Sequence, residues 1–409
     1  MDLNLYIVDN SHEYSTVMSG GERIAIELSK QWTAAGKAQV NVIGSNLTEK
    51  LWGDYLAGSP ISFHRIVQLK EGENLFFSYL KRAVMGIAFA CRFRMDKQAV
   101  NLVYSASDFW PDSLTGLFLY MRNRDRCHWI AGFYLFAPNP LKGFVKKGSW
   151  RLPTVRNSAY WLSQKPIYII VKHLASVVFV TSEPDVEPFL TSRRGRDNVV
   201  VIRGGVDTAH ASSFDPESKI ADNGRSFHAV FVGRLHPQKG VIDLIDIWKM
   251  VTEEIPGATL ALIGVGPLEK EVKRAVARNG LEKEIKLLGF LDGDPKYDVF
   301  KRSSLIVHPA LYDSGGMAAA EGMAWGLAGV SYDLKALQTY YPRGMVKVPV
   351  GDKAAFARAI VELLRDDSQR RRLGREAREL IMEMWGWESR ADAIWQSLDA
   401  AGLMEKIRH

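Results

Sequence analysis

The chain has 409 residues, of which 47% are hydrophobic and 24% charged. This balance is typical of globular proteins with, at roughly 150 residues each, two or three domains, and it excludes a disordered chain, a collagen-like repeat and a coiled coil. Two cysteines, Cys91 and Cys127, are too few for a disulfide framework, which favours a reducing compartment. Asp2 stands where a secretory signal would be basic, and no run of about 18 residues is apolar and uncharged, so we expect a cytoplasmic protein that does not span a membrane.

The net charge of +7 is concentrated in one part of the chain. Residues 76–175 contain 15 Lys or Arg and four Asp, which gives a local net charge of +11. Basic and aromatic residues are interleaved in its second half, at Lys142, Phe144, Lys146, Lys147, Trp150, Arg151, Arg156, Tyr160 and Trp161. This combination suits an anionic membrane surface and would equally suit nucleic acid. A basic surface with no single partner is the alternative.

Two segments of the chain show the pattern strand, glycine-containing loop, helix, strand. The first has a strand at 3–8, the loop Ser19-Gly20-Gly21, a helix at 22–35 and a strand at 39–43. The second has a strand at 228–232, the loop 233–240, a helix at 241–254 and a strand at 259–263. Further apolar strands are predicted at 100–104, 177–180, 199–202, 285–288 and 305–307. The repeated βαβ unit predicts two doubly wound α/β domains with parallel sheets.

The domain boundary is predicted near 203–207, followed by a polar linker at 211–226. We therefore expect an N-terminal domain at 1–206 and a C-terminal domain at 207–386. The tail 387–409 has apolar residues at helical spacing, which predicts a helix over 387–407 that packs back toward the N-terminal domain.

Ligands of open α/β sheets bind at the carboxyl ends of the strands, where helix N-termini offer free N–H groups to phosphate. Three loops place glycine directly before a helix in this way: Ser19-Gly20-Gly21, Gly264-Val265-Gly266-Pro267 and Asp313-Ser314-Gly315-Gly316. Each is a weak signal by itself, because glycine at a turn often serves geometry alone. Arg234 and Lys239 lie in one loop after a strand, where they could neutralise a diphosphate or simply be solvated surface charges.

Asp313 and Glu321 bracket a run of small apolar residues that predicts the first turns of a buried helix. At 1.5 Å per residue their separation is roughly 12 Å, about the distance from the sugar to the ribose of a nucleotide sugar. A carboxylate in such a helix is costly to bury unless it accepts hydrogen bonds, as it would from ribose hydroxyls. Helix capping by Asp313 and a solvated helix face for Glu321 are the alternatives.

Taken in order, these motifs resemble those of the retaining glycosyltransferases of the large family 4. The resemblance rests on 232–240, on 263–267, and on His308-Pro309 through 313–317 to 321–324, which fits the family pattern of two acids separated by seven residues. Gly205-Val206-Asp207 resembles the linker motif of the family, and Gly20-Gly21 resembles its N-terminal glycine loop. The resemblance implies the α/β GT-B fold, with two Rossmann-like domains that face a central cleft. The N-terminal domain would bind the acceptor and the C-terminal domain the nucleotide sugar.

The resemblance also implies roles for individual residues. Arg234 and Lys239 would hold the donor diphosphate, and Glu321 would accept a hydrogen bond from the ribose. Asp313 would contact sugar hydroxyls. Backbone N–H groups would bind the sugar and phosphates, and backbone near Phe290 would frame the nucleobase. The donor-binding residues implied in this way are Gly20, Gly21, Gly233, Gly266, Phe290, Ser314, Gly315, Gly316 and Met317.

Three features need separate interpretation. Asp313 is one methylene shorter than the Glu usual in the family, so the donor cannot be inferred from Glu-containing relatives. Many members carry a His after a strand of the N-terminal domain. Here Tyr134 takes that place, and His128 falls at a strand start. Tyr134 and Asp108 are the candidate residues on the acceptor side. Asp292-Gly293-Asp294 matches a metal-binding motif of the other large glycosyltransferase fold, but its position before Pro295 and a helix indicates a turn and cap.

The expected activity is hexosyl transfer from a UDP- or GDP-sugar to a hydroxyl of a glycan or lipid-linked acceptor, with no metal or other cofactor. The basic surface within 76–175 predicts peripheral binding to the cytoplasmic face of an anionic membrane. No nucleic acid partner is expected, because this stretch has no RNA-binding signature or helix-turn-helix pattern. A soluble acceptor and a catalytically inactive GT-B protein that binds a ligand are the alternatives.

Overall fold

The computed structural model describes residues 3–10, 18–56, 58–70, 73–137, 139–141, 155–202, 204–216, 226–313 and 315–404. The described residues form two compact units. The first unit contains those up to 204 together with those from 387 onward, and the second contains 205–386.

The first unit contains a seven-stranded parallel sheet in the order β3-β2-β1-β4-β5-β6-β7. Its strands are β1 (Leu3–Asp9), β2 (Gln39–Ser45), β3 (Ser62–Val67), β4 (Val100–Ser105), β5 (Cys127–Gly132), β6 (Val177–Val180) and β7 (Val199–Val201). Helices connect the first six strands in turn: α1 (Gly20–Ala34), α2 (Asn46–Tyr55), α3 (Leu75–Arg92), α4 (Trp110–Arg122) and α5 (Val155–Leu174). Short 3₁₀ turns lie around β7 at Glu183–Asp185, Glu187–Phe189 and Arg196–Asn198.

The second unit contains a six-stranded parallel sheet in the order β10-β9-β8-β11-β12-β13. Its strands are β8 (Phe227–Val232), β9 (Leu260–Ile263), β10 (Ile285–Gly289), β11 (Ser303–His308), β12 (Ala328–Tyr332) and β13 (Met345–Val348). Its helices are α6 (Ala209–Ser212), α7 (Val241–Glu254), α8 (Glu269–Arg278), α9 (Asp294–Lys301), α10 (Met317–Ala324), α11 (Lys335–Tyr340), α12 (Lys353–Arg365) and α13 (Asp367–Met384), and a 3₁₀ turn lies at Pro237–Lys239. Apolar side chains cover both faces of the sheet, as parallel sheets require.

The last helix belongs to the first unit. It is α14 (Trp387–Ala400), which ends before the predicted residue 407, and residues 405–409 lie outside the described residues. Trp32 of α1 packs edge-on against Trp395 and donates its indole N–H to Ala391 O at 2.9 Å. A buried indole that also satisfies its N–H holds α14 against α1.

The prediction of two parallel-sheet α/β domains is confirmed. Every strand predicted from an apolar run is present with ends within two residues of the prediction, and His128 lies at the start of β5 as expected. Three strands were not predicted from the sequence. β3 is half-exposed and mixes polar with apolar residues, β12 is rich in small residues, and β13 has four residues, so none forms a clear apolar run.

Two further expectations concern residues that are only partly described. The linker predicted at 211–226 begins within α6, and 217–225 lie outside the described residues. Lys142, Phe144, Lys146, Lys147, Trp150 and Arg151 also lie outside them, as does the side chain of Arg156. Within the described chain, no helix is long and apolar enough to cross a membrane.

Candidate functional site

The candidate residues of the second unit come from loops that follow two neighbouring strands. β8 and β11 pair in parallel at the centre of the sheet, with β9 and β10 on one side and β12 and β13 on the other. Such a reversal of strand order is where open α/β sheets bind ligands, beyond the carboxyl ends of the strands. The loop 233–240 follows β8, and the loop 309–316 follows β11. The Leu311 N–H donates to Gln238 O at 2.9 Å and ties the two loops together.

The carboxylate of Asp313 also joins these loops. Its Oδ2 atom accepts from Lys239 Nζ at 2.5 Å and lies 3.0 Å from His308 Nε2. Its Oδ1 atom accepts the backbone N–H of Gly316 at 3.1 Å. The side chain of Asp313 is 8% exposed and that of His308 is 2% exposed. A carboxylate so removed from water requires partners of this kind, and the surrounding sequence supplies them from both loops.

These partners fix the charge of Asp313. Burial raises the pKa of its carboxyl, but the charge of Lys239 and the hydrogen bond with His308 outweigh burial and hold the pKa well below the ordinary value of 3.8. Lys239 remains partly exposed, and its ammonium has three N–H donors. One donor binds Asp313, so the other two can bind an anionic ligand.

Helix α10 begins at Met317, directly after Gly316. Gly316 has a φ of +65°, a conformation that favours glycine, and its carbonyl oxygen accepts from the Tyr341 hydroxyl at 2.7 Å. The N–H of Gly316 is used by Asp313, whereas that of Met317 belongs to the first helical turn, whose donors have no partner within the helix. Ser314 lies outside the described residues.

Glu321 of α10 pairs with a lysine that was not predicted as a site residue. Its Oε2 atom lies 3.1 Å from Lys296 Nζ, which also donates to Asp292 Oδ1 at 2.8 Å. Burial lowers the pKa of Lys296, but the charges of Glu321 and Asp292 outweigh burial and raise it above the ordinary lysine value. The spacing of four residues between Asp292 and Lys296 was the sequence signal that could have indicated this pair.

The Asp292-Gly293-Asp294 motif forms the turn that begins α9. Gly293 has a φ of +61°, and Asp294 occupies the first helical turn, where a negative charge is favourable. Asp292 is paired with Lys296. Among the residues that the structure describes, no group of three or more His, Cys, Asp or Glu could hold a metal ion.

Two predicted donor-binding side chains lie on the surface of this edge. Arg234 is exposed in the loop after β8, and its guanidinium has no ion pair or hydrogen bond within the described ranges. Phe290 follows β10 and is 51% exposed. A free guanidinium fork and an open aromatic face suit a phosphate and a planar ring, respectively.

The glycines at 264 and 266 are required by the packing of one loop on another. A Cβ at Gly264 would lie 1.9 Å from the carbonyl oxygen of Gly233, and one at Gly266 would lie 2.6 Å from that of Leu235. Backbone contacts of this kind leave no room for a side chain. These contacts explain why both positions are glycine even if no ligand binds there. The spacing of the motif in the sequence could not show this.

The candidates of the first unit lie near the carboxyl ends of β1, β4 and β5. Helix α1 begins at Gly20, and a Cβ at Gly21 would lie 2.8 Å from the ring of Tyr134. The Tyr134 hydroxyl hydrogen-bonds with that of Tyr104. Tyr134 therefore directs its hydroxyl into the unit, and its ring explains why residue 21 is glycine.

Asp108 follows β4 and is buried. Its Oδ2 atom accepts from Gln164 Nε2 at 2.8 Å, and the same Gln164 amide donates to Leu135 O at 2.7 Å. Burial raises the pKa of Asp108 to about 6, although the Gln164 hydrogen bond lowers it in part. Asp108 and Tyr134 thus belong to one region of the first unit, linked through the segment that follows β5.

The sequence of the second unit is similar to those of known glycosyltransferases. Residues 215–380 match the family model of the group 1 glycosyl transferases. Glycogen synthase of Mycobacterium tuberculosis is 26% identical over 216 residues, which are 52% of this chain and 51% of that protein. Phosphatidyl-myo-inositol mannosyltransferase of Mycobacterium leprae is 35% identical over 147 residues, which are 35% of this chain and 38% of that protein. The match thus spans about half of the length of the first relative and less than half of the second.

Solved structures resemble the chain over nearly its whole length. The Anabaena protein HepE in complex with UDP and glucose superposes with a TM-score of 0.68, covering 97% of this chain and 99% of that one, at 17% identity. At such low identity the likeness establishes the fold alone. The fold is the expected GT-B fold, with two Rossmann-like parallel-sheet domains.

Replacing Asp313 with Asn tests whether the carboxylate holds the two loops together. Because the pKa of Asp313 is lowered on folding, its contribution to stability is complete above the ordinary pKa of 3.8 and is lost as the pH falls through the lowered value. Urea unfolding at pH 5 should therefore show a free energy of unfolding lower by about 3 kcal/mol in Asp313→Asn, and the difference from wild type should shrink below about pH 4.

Asp298→Asn is the matched control, because Asp298 pairs with Lys301 on the surface at 58% exposure. Such a pair contributes about 1 kcal/mol or less. Equal and pH-independent losses in the two variants would contradict the role given to Asp313.

Proposed function

We propose that this chain is a retaining glycosyltransferase of family 4, which transfers a hexosyl group from a UDP- or GDP-sugar to a hydroxyl of a glycan or lipid-linked acceptor. The main support for this proposal is the cluster of Lys239, His308 and Asp313, which lies at the reversal of strand order in the second sheet. This cluster lies in the part of the chain that matches the group 1 glycosyl transferases. The likeness to a protein crystallised with UDP and glucose supports a nucleotide-diphosphate donor.

The donor is assigned to the surface around this cluster. The exposed Arg234 and the two available N–H donors of Lys239 bind the diphosphate. Glu321 accepts from the ribose hydroxyls, and Phe290 lies beside the nucleobase. Met317 at the start of α10 contributes a backbone N–H to the phosphate or sugar.

The proposed chemistry requires charge stabilisation more than proton transfer by a side chain. Glycosyl transfer passes through an oxocarbenium-like state while negative charge builds on the departing diphosphate. Cations held in place before the reaction stabilise that charge more strongly in the transition state than in the ground state. Asp313 holds the ammonium of Lys239 in place before the reaction. The leaving phosphate takes the proton of the acceptor hydroxyl, which attacks on the same face of the sugar. Arg234 and Lys239 supply the neutralising charge, so we assign no metal or other cofactor.

The surface of the first unit supports a lipid-linked acceptor. Phe76 and Phe77 in the first turn of α3 are 66% and 70% exposed, and Val84 and Met85 continue the exposed face. Helix α3 contains no acidic residue, and neither does α5, which exposes Leu162 and Ile169. The rings of Tyr79, Phe109 and Tyr160 connect the starts of α3, α4 and α5.

An exposed helix face that is apolar and cationic suits the interface of an anionic membrane. On α3 it begins with Phe76 and Phe77 in the first turn, which follows the carboxyl end of β3, and this is the edge where a Rossmann-like unit binds its ligand. We therefore place the protein at the cytoplasmic membrane surface, where it would meet a polyprenyl-linked glycan or a glycolipid. A soluble acceptor remains the alternative that fits the same donor site, and a ligand-binding protein without activity is the other.

The donor assignment is tested by the slow hydrolysis of UDP-glucose and GDP-mannose, which needs no knowledge of the acceptor. Arg234→Ala and Lys239→Ala should each lower kcat/KM by a factor of about 100 to 1,000, because each removes a fixed charge from the leaving diphosphate. Lys273→Ala is the control, since Lys273 is an exposed lysine paired with Glu269 on α8. Wild-type rates in both site variants would refute the donor site, and absence of turnover in a wild type that binds a nucleotide would favour an inactive protein.

The acceptor assignment is tested by sedimentation with vesicles of phosphatidylglycerol or of phosphatidylcholine. We expect binding to the anionic vesicles alone, and we expect a joint change of Phe76 and Phe77 to Ser to weaken it about tenfold or more, because both rings lose burial in the interface. Met384→Ser is the control, because Met384 is an exposed apolar residue of the second unit. Equal binding to both kinds of vesicle, or none, would remove the membrane from the proposal and favour a soluble acceptor.

A further inference from the structure

Lys296 is the most deeply buried member of a group of three charged side chains, the others being Asp292 and Glu321. Its side chain is 9% exposed, compared with 31% for Glu321 and 29% for Asp292. We infer that Lys296 is a positioning residue, which holds the Glu321 carboxylate ready for the ribose diol of the donor and thereby sets the preference for ribonucleotides over deoxyribonucleotides. This inference rests on the proposed function.

The three residues form a chain of contacts between two helices. Asp292 precedes α9, Lys296 lies on α9, and Glu321 lies on α10. The Lys296 ammonium lies 2.8 Å from Asp292 Oδ1 and 3.1 Å from Glu321 Oε2. Within the described part of the chain, the second oxygen of Glu321 makes no hydrogen bond. One oxygen is therefore fixed by the lysine, and the other is available to a ligand.

Lys296 is more deeply buried than Glu321, and this burial gives it a role that an exposed lysine would not have. A lysine that is nearly removed from water is costly unless its charge is compensated, and two carboxylates compensate it here. Their charges raise the pKa of Lys296 despite burial, so the ammonium remains charged at neutral pH. A buried and doubly paired ammonium moves little, and it therefore restricts the carboxylate that it contacts.

The restriction bears directly on ligand binding. A free glutamate side chain loses rotamer freedom when a ligand fixes it, and that loss weakens binding. The contact with Lys296 removes part of this freedom from Glu321 before a ligand binds. Asp292 in turn holds Lys296 through a second ion pair, which gives the first residue of the Asp292-Gly293-Asp294 motif a function without a metal.

The test compares two ligands that differ by one hydroxyl. UDP and 2′-deoxy-UDP, and GDP and 2′-deoxy-GDP, are titrated calorimetrically into wild type and Lys296→Met, an uncharged side chain of similar length. Wild type should bind the ribonucleotide about tenfold more tightly or better, because the Glu321 carboxylate pairs with the hydroxyl. In Lys296→Met the preference should fall below about threefold, with binding of the deoxynucleotide nearly unchanged.

Lys301→Met is the matched control, because Lys301 is an exposed lysine on the same helix and should leave the preference at its wild-type value. Lys296→Arg keeps the positive charge and should keep most of the preference, and Asp292→Asn should lower it, since Lys296 then loses one of its two compensating charges. Asp292→Asn also serves if Lys296→Met does not fold, and an unchanged preference in Asp292→Asn would then overturn the inference.

The outcomes separate the inference from the function on which it rests. If wild type binds none of these nucleotides, the proposed function fails. If wild type prefers the ribonucleotide and folded Lys296→Met weakens both ligands by the same factor, Lys296 only stabilises the fold and the inference is wrong. A rise in KM for the donor with little change in kcat would agree with positioning, because contacts to the ribose are made equally in the ground and transition states.

Discussion

Burial of the Asp313 carboxylate is the constraint on which the rest of the candidate site depends. A charge at 8% exposure requires compensation, which comes from Lys239 in the loop after β8, from His308 at the end of β11 and from the Gly316 N–H in the loop after β11. The same contacts direct the lysine and fix the start of α10. Loss of the carboxylate would leave Lys239 without its charge partner and would remove one of the contacts that join the two loops, beside the Leu311–Gln238 bond.

A second buried charge with an opposite partner lies beside α10. Glu321 is also held by a lysine, but there the lysine is buried and the carboxylate is open. At Asp313 the arrangement is reversed, because the carboxylate is buried and the lysine is open. The loop after β8 therefore presents a partly free cation, and helix α10 presents a partly free carboxylate. A nucleoside diphosphate carries the complementary groups, anionic phosphates and a neutral diol.

The sequence allowed the fold and the identity of the main candidates to be predicted, because apolar runs and glycine loops are local patterns. It could not show which of two paired charges is buried. Asp313 is expected from the sequence to contact sugar hydroxyls, but the sequence does not show that its oxygens also lie within hydrogen-bonding distance of Lys239, of His308 and of the N–H groups of Gly315 and Gly316. Lys296 was not predicted at all, since its importance depends on contact with Glu321, which lies 25 residues further along the chain. The edge strand β3 escaped prediction because it lacks continuous burial.

The most direct test of the account is a thermal-shift measurement with UDP, GDP, ADP and their common sugars on wild type, Arg234→Ala and Glu321→Ala. A ligand at 100 times its dissociation constant stabilises the folded state by about 2.7 kcal/mol, which raises Tm by several degrees. We expect one nucleotide class to raise the Tm of wild type and to leave the Tm of both variants unchanged. No shift with any nucleotide, or equal shifts in all three proteins, would contradict a donor site built on these residues.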